Sequence, residues 1–600
     1  MHFWFDLLRS AFNRKLPQDP LSKERVDLRK VKLDLMLPYL KRHWKTASAG
    51  VVAILVTALL AFPAPLITRF LVDQVILGKH LEWLIWAVLG LAAVKGFSYA
   101  AGMVEQYTFT RLQMNVSLDL QQTLLSHTLS LPKAFLDGKE IGYMMSRVGS
   151  DVQGITWFFS QTAVYLFTNL LRFLGGIVFL LILEWRLALV TIVVLPLLVL
   201  VVKIFTTRMR ALSHHSMERH ARANTRFQET LSSIPLIKAF TSEKHETQRV
   251  MDEVKAVQEI SMEQTVLGSV ANSIFNLIPD LARAAVLLVG AILVIRDEWT
   301  LGSLLAFQSY LGFVIGPALS LAGINLQLQN ALASLDRVTA LLEVVPEENT
   351  DSGMDVKHLT GKVEFKRVTF SYDQKASVLE DISFVVQPGE IISVVGQSGV
   401  GKTTLVSLLL RFYKPTNGDI LFDDQPADRF NLHSLRQRIG YVSQTNSLLA
   451  GTIRDNLTYG NAASSEADID RAIRTAGIYD FIASLSGGLD SLVGENGVNL
   501  SEGQKQRISI ARALIKDPDI LIMDEPTAAL DSPTEQSIFE MLPDEIRGKT
   551  LFIVAHRLST IKNADRIIVL SERHLSGFGS HEELIKKNKY YFSLLENTGN

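Results

Sequence analysis

The stretch that decides the fold runs from Glu390 to Leu410 and reads EIISVVGQSGVGKTTLVSLLL. A short apolar run leads into Gly396, and after four residues come Gly401, Lys402 and Thr403. The residues that follow are again apolar and favour a helix. A glycine-rich loop between a strand and a helix lets backbone N–H groups surround a phosphate, while the lysine adds charge and the hydroxyl can hold Mg²⁺. The stretch therefore predicts a nucleotide-phosphate loop inside an α/β domain.

The residues beyond position 360 alternate short β-rich runs with helical runs, which is typical of an α/β domain with a largely parallel sheet. The β-rich runs include VEFKRVTF, ILIMDE and TLFIVAH. The second of these ends in Asp524 and Glu525. Two acids at a strand end beside a phosphate loop predict that Asp524 is a magnesium ligand and that Glu525 polarises the attacking water.

The composition points to more than one domain. The chain has 600 residues, 60 of them basic and 61 acidic, and a prior of roughly one domain per 150 residues suggests two to four units. The mean hydropathy is positive, so the apolar residues are expected to be concentrated in one part of the chain. The absence of cysteine excludes disulfides, thiolate metal sites and a cysteine nucleophile. Residues 1–45 have no uninterrupted apolar core and do not resemble a cleavable signal peptide.

Apolar runs of roughly 20 residues, long enough to cross a bilayer, occur only in the first 325 residues. They predict six transmembrane helices near residues 47–71, 83–105, 157–183, 187–207, 270–295 and 300–323. Short turns follow the first, third and fifth spans, whereas long helical connections follow the second and fourth. Lys and Arg are in excess before the first span and are frequent in the connection after the fourth. The positive-inside rule therefore places both termini and both long connections in the cytoplasm.

These patterns divide the chain into four parts. Residues 1–45 are predicted to form a cytoplasmic amphipathic segment and residues 46–326 an all-α transmembrane domain of six helices. A polar, turn-rich stretch, VVPEENTDSGMDVKHLTG, indicates a linker, which we place at 327–360. Residues 361–600 are predicted to form the α/β nucleotide-binding domain.

Further short motifs in the second half resemble those of the ATP-binding cassette (ABC) family, and the resemblance covers nearly all of the chain. LSEGQ, from Leu500 to Gln504, looks like the family signature, and YVSQ places Gln444 in the Q-loop. AALD ends in Asp531 and matches the D-loop, while IVAHR places His556 as the switch histidine. FSY ends in Tyr372, where the family stacks adenine.

The resemblance implies a cassette with an antiparallel β subdomain and a helical subdomain, and ATP and Mg²⁺ as cofactors. It implies catalytic roles for Lys402, Gln444, Glu525 and His556, and magnesium ligands at Thr403, Gln444 and Asp524. It implies ATP contacts from Tyr372, Gly396, Gln397, Ser398, Gly399, Val400, Gly401, Lys402, Thr403 and Thr404.

In this family two cassettes pack head to tail, so that each ATP lies between the phosphate loop of one chain and the signature of the other. The resemblance thus implies that Ser501, Gly503 and Gln504, at the start of a helix, contact the nucleotide of a partner chain. A second copy of the same chain is the expected partner, and a different chain is the alternative. Glu502 stands where the family usually has Gly, and we expect its carboxylate to point away from the nucleotide.

The domain order resembles exporter half-transporters, such as lipid A flippases and bacterial multidrug exporters. The stretch from Leu131 to Ile155 looks like the family's first intracellular loop, with its coupling helix expected near Gly142–Val152, and VGENG, Val493–Gly497, resembles a loop that touches such helices. The implied function is ATP-driven export or flipping of a lipid or another hydrophobic or amphiphilic substrate. A subunit of a heterodimeric multidrug or peptide exporter and an ATP-gated channel remain alternatives. The six spans exclude a soluble nucleic-acid ATPase of the same family, so no nucleic-acid partner is expected.

Charged residues inside the predicted spans are candidates for the substrate cavity, because charges are costly in a bilayer. Asp280 and Arg283 lie three residues apart on one helix face, where they either form a structural pair or face the cargo. Lys95 and Arg172 are further candidates. A basic face would suit a phosphorylated or otherwise anionic amphiphile. The expected location is a bacterial inner or plasma membrane.

Overall fold

The structure, a computed structural model, describes Arg9 and residues 36–350, 352–372, 376–494, 497–526, 532–555 and 561–598. Most of the predicted amphipathic segment at 1–45 lies outside the described residues, as do Asp531, His556 and the centre of the VGENG loop. The chain divides into two compact units. Residues 1–129 and 141–344 form the membrane unit, and residues 130–140 and 345–600 form the cassette unit.

The membrane unit is helical throughout its described part. Its α-helices, in chain order, are α1 (Leu37–Arg42), α2 (Trp44–Ala61), α3 (Pro63–Phe70), α4 (Leu81–Leu129), α6 (Ile141–Ser146), α7 (Val152–Trp157), α8 (Ala163–Ser232), α9 (Ile234–Ala239), α10 (Glu243–Ile295) and α11 (Leu301–Leu342). Helix α5 (Lys133–Leu136) belongs to the cassette unit. Three π-helical segments, Leu71–Ile76, Arg147–Asp151 and Phe158–Thr162, connect these helices.

Five described helical runs are long and apolar enough to cross a membrane: Trp44–Ile76, Leu81–Leu129, Ile141–Leu189, Glu243–Ile295 and Leu301–Ser320. They contain the first, second, third, fifth and most of the sixth predicted spans. The fourth, predicted at 187–207, lies in the middle of α8. Glu184 has extended backbone angles within α8 and therefore separates the third span from the fourth, in the turn predicted from EWR.

The linker begins later than we predicted at 327–360. Helix α11 continues to Leu342, and the membrane unit extends to residue 344. Leu335 and Val338 of this continuation are buried, as is Leu341, so the helix keeps an apolar face beyond the membrane-spanning window. Apolar residues at helical spacing stabilise a helix by packing, even where the segment is no longer apolar enough to cross a membrane. The hydropathy of the segment therefore marked the end of the span and not the end of the helix.

A buried carboxylate ties α11 to the segment before α7. Asp151 is 3% exposed, and its oxygens accept hydrogen bonds from the guanidinium groups of Arg147 and Arg337. Arg147 Nη1 lies 2.6 Å from Asp151 Oδ2, and Ser334 Oγ lies 3.0 Å from Asp151 Oδ1. The carboxylate thus has several donors, which is the condition under which a buried charge is tolerated.

We expect Asp151→Asn to lower the free energy of unfolding by about 2 kcal/mol, because two guanidinium groups lose their counter-charge. The value stays below that of a fully buried pair, since the Arg337 side chain is 43% exposed. The measurement is the thermal unfolding midpoint in lipid nanodiscs. Asp252→Asn, at an exposed carboxylate, is the matched control and should leave the midpoint almost unchanged. Equal midpoints for the two variants would contradict the prediction.

The cassette unit combines sheets and helices. Its strands are β1 (Val363–Phe370), β2 (Leu379–Val386), β3 (Ile391–Val395), β4 (Asn417–Phe422), β5 (Gln425–Pro426), β6 (Ile439–Val442), β7 (Gly451–Thr452), β8 (Leu492–Val493), β9 (Ile520–Asp524), β10 (Thr550–Val554), β11 (Arg566–Ser571) and β12 (His574–Gly579). Its helices after α11 are α12 (Lys402–Leu409), α13 (Leu432–Gln437), α14 (Ile453–Leu457), α15 (Glu466–Thr475), α16 (Tyr479–Ser484), α17 (Glu502–Ile515), α18 (Ser532–Glu545), α19 (His581–Lys587) and α20 (Lys589–Thr598).

The main sheet has the strand order β12-β11-β3-β10-β9-β6. Its neighbours pair in parallel except for β11 and β12. A separate antiparallel sheet, β2-β1-β4-β5, packs its own buried side chains into one core with part of the main sheet. Helices α14 to α17 pack around a second core on the main sheet. In open α/β sheets ligands bind at the carboxyl ends of the parallel strands. The phosphate loop after β3, the acids at the end of β9 and the segment after β6 all lie at that edge.

Part of the first intracellular loop belongs to the cassette unit. Residues 130–140, which include α5, lie in that unit, whereas Gly142–Val152 belong to the membrane unit. The Tyr413 hydroxyl donates a hydrogen bond of 2.5 Å to Asp137 Oδ2, and the Lys133 ammonium lies 5.9 Å from the centre of the Phe412 ring. A coupling helix near Gly142–Val152 stays a prediction.

Candidate functional site: a nucleotide pocket at the carboxyl edge of the sheet

The phosphate loop joins β3 to α12 through backbone angles that favour glycine. Gly401 has φ 107° and is the N-cap of α12. A Cβ at this position would lie only 2.8 Å from Leu379 Cδ2, so any side chain would meet both strain and a close contact. Gln397, Ser398 and Gly399 are exposed at the tip of the loop, as is Thr403 at the start of the helix. The loop therefore presents backbone and hydroxyl groups to solvent at a helix N-terminus, where an anion is stabilised.

Lys402 is folded back onto this loop. Its Nζ donates to the carbonyl oxygens of Gly396 at 2.9 Å and Gln397 at 3.2 Å, and the residue is buried. Burial lowers the pKa of Lys402, and the nearby carboxylates Glu525 and Asp524 offset this only in part. The ammonium is therefore held by neutral oxygens in a position where anionic phosphates would be stronger partners.

Two acids close the other side of the pocket. Asp524 ends β9 and is fully buried, and Glu525 follows it with φ 52°, an unusual value for a residue other than glycine. The Glu525 N–H donates to the Val554 carbonyl at 3.2 Å, and the Glu525 carbonyl accepts from Gln506 Nε2 at 3.1 Å. The backbone of Glu525 is thus fixed from β10 on one side and from α17 on the other. Strained backbone held in this way is frequent at active sites.

The structure brings Gln444 to Glu525. Gln444 Nε2 donates to Glu525 Oε2 at 3.0 Å, so the residue predicted in the Q-loop contacts the predicted water-polarising carboxylate. The contact arises because β6 and β9 are adjacent parallel strands that end at the same level. Gln506 was missed by the sequence analysis, although it lies only two residues beyond the signature motif.

Tyr372 lies beside the phosphate-loop helix. Its hydroxyl is 3.0 Å from Thr404 Oγ1, and its ring packs edge-on against Phe370 and Tyr413, with ring centres 4.8 Å and 5.0 Å away. The residue is 52% exposed, which leaves ring surface open to a ligand. Three neighbours therefore hold an aromatic face next to the phosphate loop, as stacking on a nucleotide base requires.

We expect Tyr372→Ala to raise the dissociation constant for ATP about tenfold, because a stacked ring contributes about 1 kcal/mol beyond its buried area. Tyr372→Phe keeps the ring and loses only the hydroxyl, so it should bind ATP almost as well as the parent chain. Titration with a fluorescent ATP analogue on the purified protein measures both. An alanine variant with unchanged affinity would show that the ring does not contact the base.

The signature segment begins helix α17. Ser501 is its N-cap: Ser501 Oγ accepts from the Gln504 N–H at 3.3 Å, and the Ser501 N–H donates to Gln504 Oε1 at 2.8 Å. Glu502 Oε1 lies 2.7 Å from Lys505 Nζ, so its carboxylate is paired within its own helix. This pairing agrees with the expectation that the carboxylate turns away from an anion at the helix N-terminus.

Four charged residues were candidates for the substrate cavity. Asp280 Oδ1 and Arg283 Nη1 are 3.0 Å apart, and both side chains are largely exposed. Lys95 is exposed, and Arg172 has a buried Nε that meets no hydrogen-bond partner in the described part of the chain. The structure therefore supplies the predicted Asp280–Arg283 pair, and the roles of Lys95 and Arg172 stay predictions.

Comparison with known proteins agrees with both halves of this description. The family model for the ABC transporter transmembrane region matches residues 48–318, and a second family model, described as ABC transporter, matches residues 379–528. An ATP-dependent lipid A-core flippase of Syntrophus aciditrophicus is 32% identical over 95% of this chain and 94% of that protein. An uncharacterised ABC transporter ATP-binding protein of Bacillus subtilis, YwjA, is 33% identical over 88% of this chain and 92% of that protein.

A solved structure of a bacterial Atm1-family ABC exporter with ATP bound superimposes with a TM-score of 0.78 at 27% identity, covering 94% of this chain and 99% of that one. The predicted fold class, a helical membrane domain followed by a phosphate-loop α/β domain, is thereby confirmed. The chain belongs to the ABC transporter family, as an ATP-hydrolysing membrane transporter with the fold of an exporter.

Proposed function

We propose that two copies of this chain form an exporter that uses ATP to flip or export a lipid or another amphiphile across the membrane. The relatives named as lipid A-core flippases support a lipid substrate. The observation that carries ATP hydrolysis is the hydrogen bond from Gln444 to Glu525 at the edge of the sheet that bears the phosphate loop. This hydrogen bond supports a role for the Glu525 carboxylate in orienting a water molecule.

Magnesium fits the donors at this edge. The Thr403 hydroxyl, the Gln444 amide and the Asp524 carboxylate are the oxygen ligands that Mg²⁺ prefers, and one carboxylate combined with nucleotide phosphates is its common mode of binding. When bound, the ion neutralises the charge of the phosphate oxygens.

The chain's own residues would act on ATP in distinct ways. Lys402 would exchange the carbonyls of Gly396 and Gln397 for phosphate oxygens, and the N–H groups of the phosphate loop would surround the β-phosphate. The Glu525 carboxylate would accept a hydrogen bond from the attacking water. Its backbone is held in place by Val554 and Gln506. We keep His556 and Asp531 in the roles of switch histidine and D-loop residue as proposals, since both lie outside the described residues.

The signature helix would serve the second chain. The N-terminus of α17 offers N–H groups and the positive end of a fourteen-residue helix dipole. Because Ser501 and Gln504 already cap one another, a γ-phosphate from the partner would have to replace part of this capping interaction. Because the helix N-terminus is capped by its own side chains when no phosphate is bound, it can bind the phosphate as the cassettes meet and release it as they separate.

The cassette would pass its movement to the membrane unit through residues 130–140. Burial raises the pKa of Asp137, but hydrogen bonds from Lys133 and Tyr413 outweigh it and hold the pKa below its ordinary value. The Asp137–Tyr413 contact is therefore formed by an ionised carboxylate at neutral pH. Its contribution to stability is lost on acidification, as the pH falls through the lowered pKa. The expected location is the inner membrane of a bacterium, with the cassette in the cytoplasm.

The test is to purify this chain alone, reconstitute it in liposomes, and measure ATP hydrolysis with the movement of a fluorescent lipid between leaflets. Hydrolysis and ATP-dependent lipid movement by the single species support the homodimeric flippase. Negligible hydrolysis by the folded protein would mean that the second signature must come from a different chain. Hydrolysis without lipid movement would exclude a lipid as the cargo.

A further inference from the structure

The membrane unit contains a cavity of about 860 Å³ between α4, the run from Arg147 to Thr162, and α11. Five amide side chains and an indole are among its lining residues: Gln113, Gln121, Gln153, Gln327, Asn330 and Trp157. The remaining lining residues are mainly hydroxyl-bearing and small or apolar. None of the lining residues is Asp, Glu, Lys or Arg. The cavity thus has an apolar surface with several polar groups, and none of its lining residues is charged.

The ion pairs next to the cavity do not change this balance. Ser334 lines the cavity and donates to Asp151, but Asp151 is already neutralised by Arg147 and Arg337. A phosphate or carboxylate placed here would give up its hydration without meeting a free cation among the described lining residues, which is costly. The walls are therefore suited to a ligand group that hydrogen-bonds without carrying charge.

Hydrogen bonds within the walls orient the amides. Ser160 Oγ donates to Gln113 Oε1 at 2.7 Å, and Thr162 Oγ1 donates to Gln327 Oε1 at 3.1 Å. Each bond occupies the oxygen of the amide and leaves its NH₂ group as the donor for a ligand. Gln121 is oriented the opposite way, because its Nε2 donates to the Val148 carbonyl at 3.3 Å. The cavity therefore offers both donors and acceptors at fixed places.

We propose that this cavity binds an uncharged polyhydroxylated group, that is, the sugar part of the transported molecule. A sugar hydroxyl is both donor and acceptor, and so matches amides presented in both orientations. The Trp157 ring is 56% exposed and can cover the apolar face of a sugar ring. Sites built from a few placed polar groups and an aromatic wall fix the orientation of a ligand.

The place of the cavity in the chain suits such a group. Gln113 follows the second predicted span by about two helical turns, and Gln327 follows the sixth by about one. The sugar would thus be held beside the end of the spans while an acyl part remains in the bilayer. This inference rests on the proposed lipid transport, and it adds the chemical class of the headgroup.

The experiment compares ATP hydrolysis in phosphatidylcholine nanodiscs that contain a diglucosyl diacylglycerol, phosphatidylglycerol, or neither, and in a further sample with free oligosaccharide. We expect the glycolipid to stimulate hydrolysis. Gln327→Leu and Asn330→Leu should each raise the half-stimulating glycolipid concentration about fivefold, because each removes a hydrogen bond of about 1 kcal/mol. Gln258→Leu, at an exposed amide of α10 that does not line the cavity, is the control and should respond like the parent chain.

The Asn330 side chain is exposed, so its replacement is not expected to impair folding. The Asn330 variant therefore tests the inference even if the Gln327 variant folds poorly. If free oligosaccharide alone stimulates ATP hydrolysis and both variants lose this response, the cavity binds an uncharged polyhydroxylated group that belongs to a soluble ligand. That outcome would support the inference about the cavity. Stimulation by phosphatidylglycerol but not by the glycolipid would overturn the inference and leave lipid transport intact, as would amide variants that respond like the control. If no lipid alters hydrolysis and none is moved, the proposed lipid transport fails, and this inference with it.

Discussion

Replacing Glu525 by Gln is expected to lower the rate of ATP hydrolysis at least about a hundredfold while ATP binding is retained. The amide is nearly the same size as the carboxylate, so the backbone contacts with Val554 and Gln506 can remain. What is lost is the negative oxygen that orients and polarises the water. Because hydrolysis stops after binding, the variant is also expected to accumulate with its two cassettes closed on ATP.

Phosphate release and ATP binding, measured on the same preparation, separate these effects. Glu540→Gln is the matched control, because Glu540 is an exposed carboxylate of α18 that accepts a hydrogen bond from Gln536. It should hydrolyse ATP at the parent rate. A Glu525→Gln chain that retained more than a tenth of the parent activity would show that another group orients the water.

The second large effect is expected at Lys402. Lys402→Met should weaken ATP binding about a hundredfold, since hydrogen bonds from a charged donor contribute roughly 1.5–3 kcal/mol each. The nucleotide-free protein should not become less stable, because the buried ammonium has a lowered pKa and its removal relieves a desolvation cost. The variant thus separates loss of binding from loss of folding.

Isothermal titration with ATP and thermal unfolding without nucleotide test the two parts. Lys402→Arg keeps the charge, but its planar group cannot occupy the same position against the carbonyls of Gly396 and Gln397. It should therefore bind ATP more weakly than the parent. An arginine variant with full affinity would show that charge alone, and not the position of the ammonium, determines binding at this loop.

Much of the cassette was predictable because its motifs are local. A strand, a glycine loop and a helix are contiguous from Glu390 to Leu410, and the loop geometry at Gly401 follows from residues next to each other in the chain. The strand that ends in Asp524 is likewise visible as four buried apolar residues followed by an acid. The family resemblance named Gln444 as the Q-loop residue, and the parallel pairing of β6 with β9 brings it to Glu525.

Features that depend on distant partners were not predictable. Asp151 is stabilised by Arg337, almost two hundred positions away, and hydropathy carries no trace of that pair. The contacts of residues 130–140 were missed for the same reason, since Lys133 and Asp137 are recognisable only through Phe412 and Tyr413. The cavity was missed because its amides are spread over three helices, and attention to charges favoured Arg172 and Arg283 instead.

The assignment of residues 130–140 to the cassette unit makes that unit discontinuous in sequence. A truncated protein that starts at Val345 would lack Lys133 and Asp137 and would uncover the rings of Phe412 and Tyr413. Chimeras that exchange ATP-binding domains between related transporters would carry a mismatched surface unless this eleven-residue piece were exchanged as well. For protein engineering, the smallest interchangeable module of this chain consists of two separate segments.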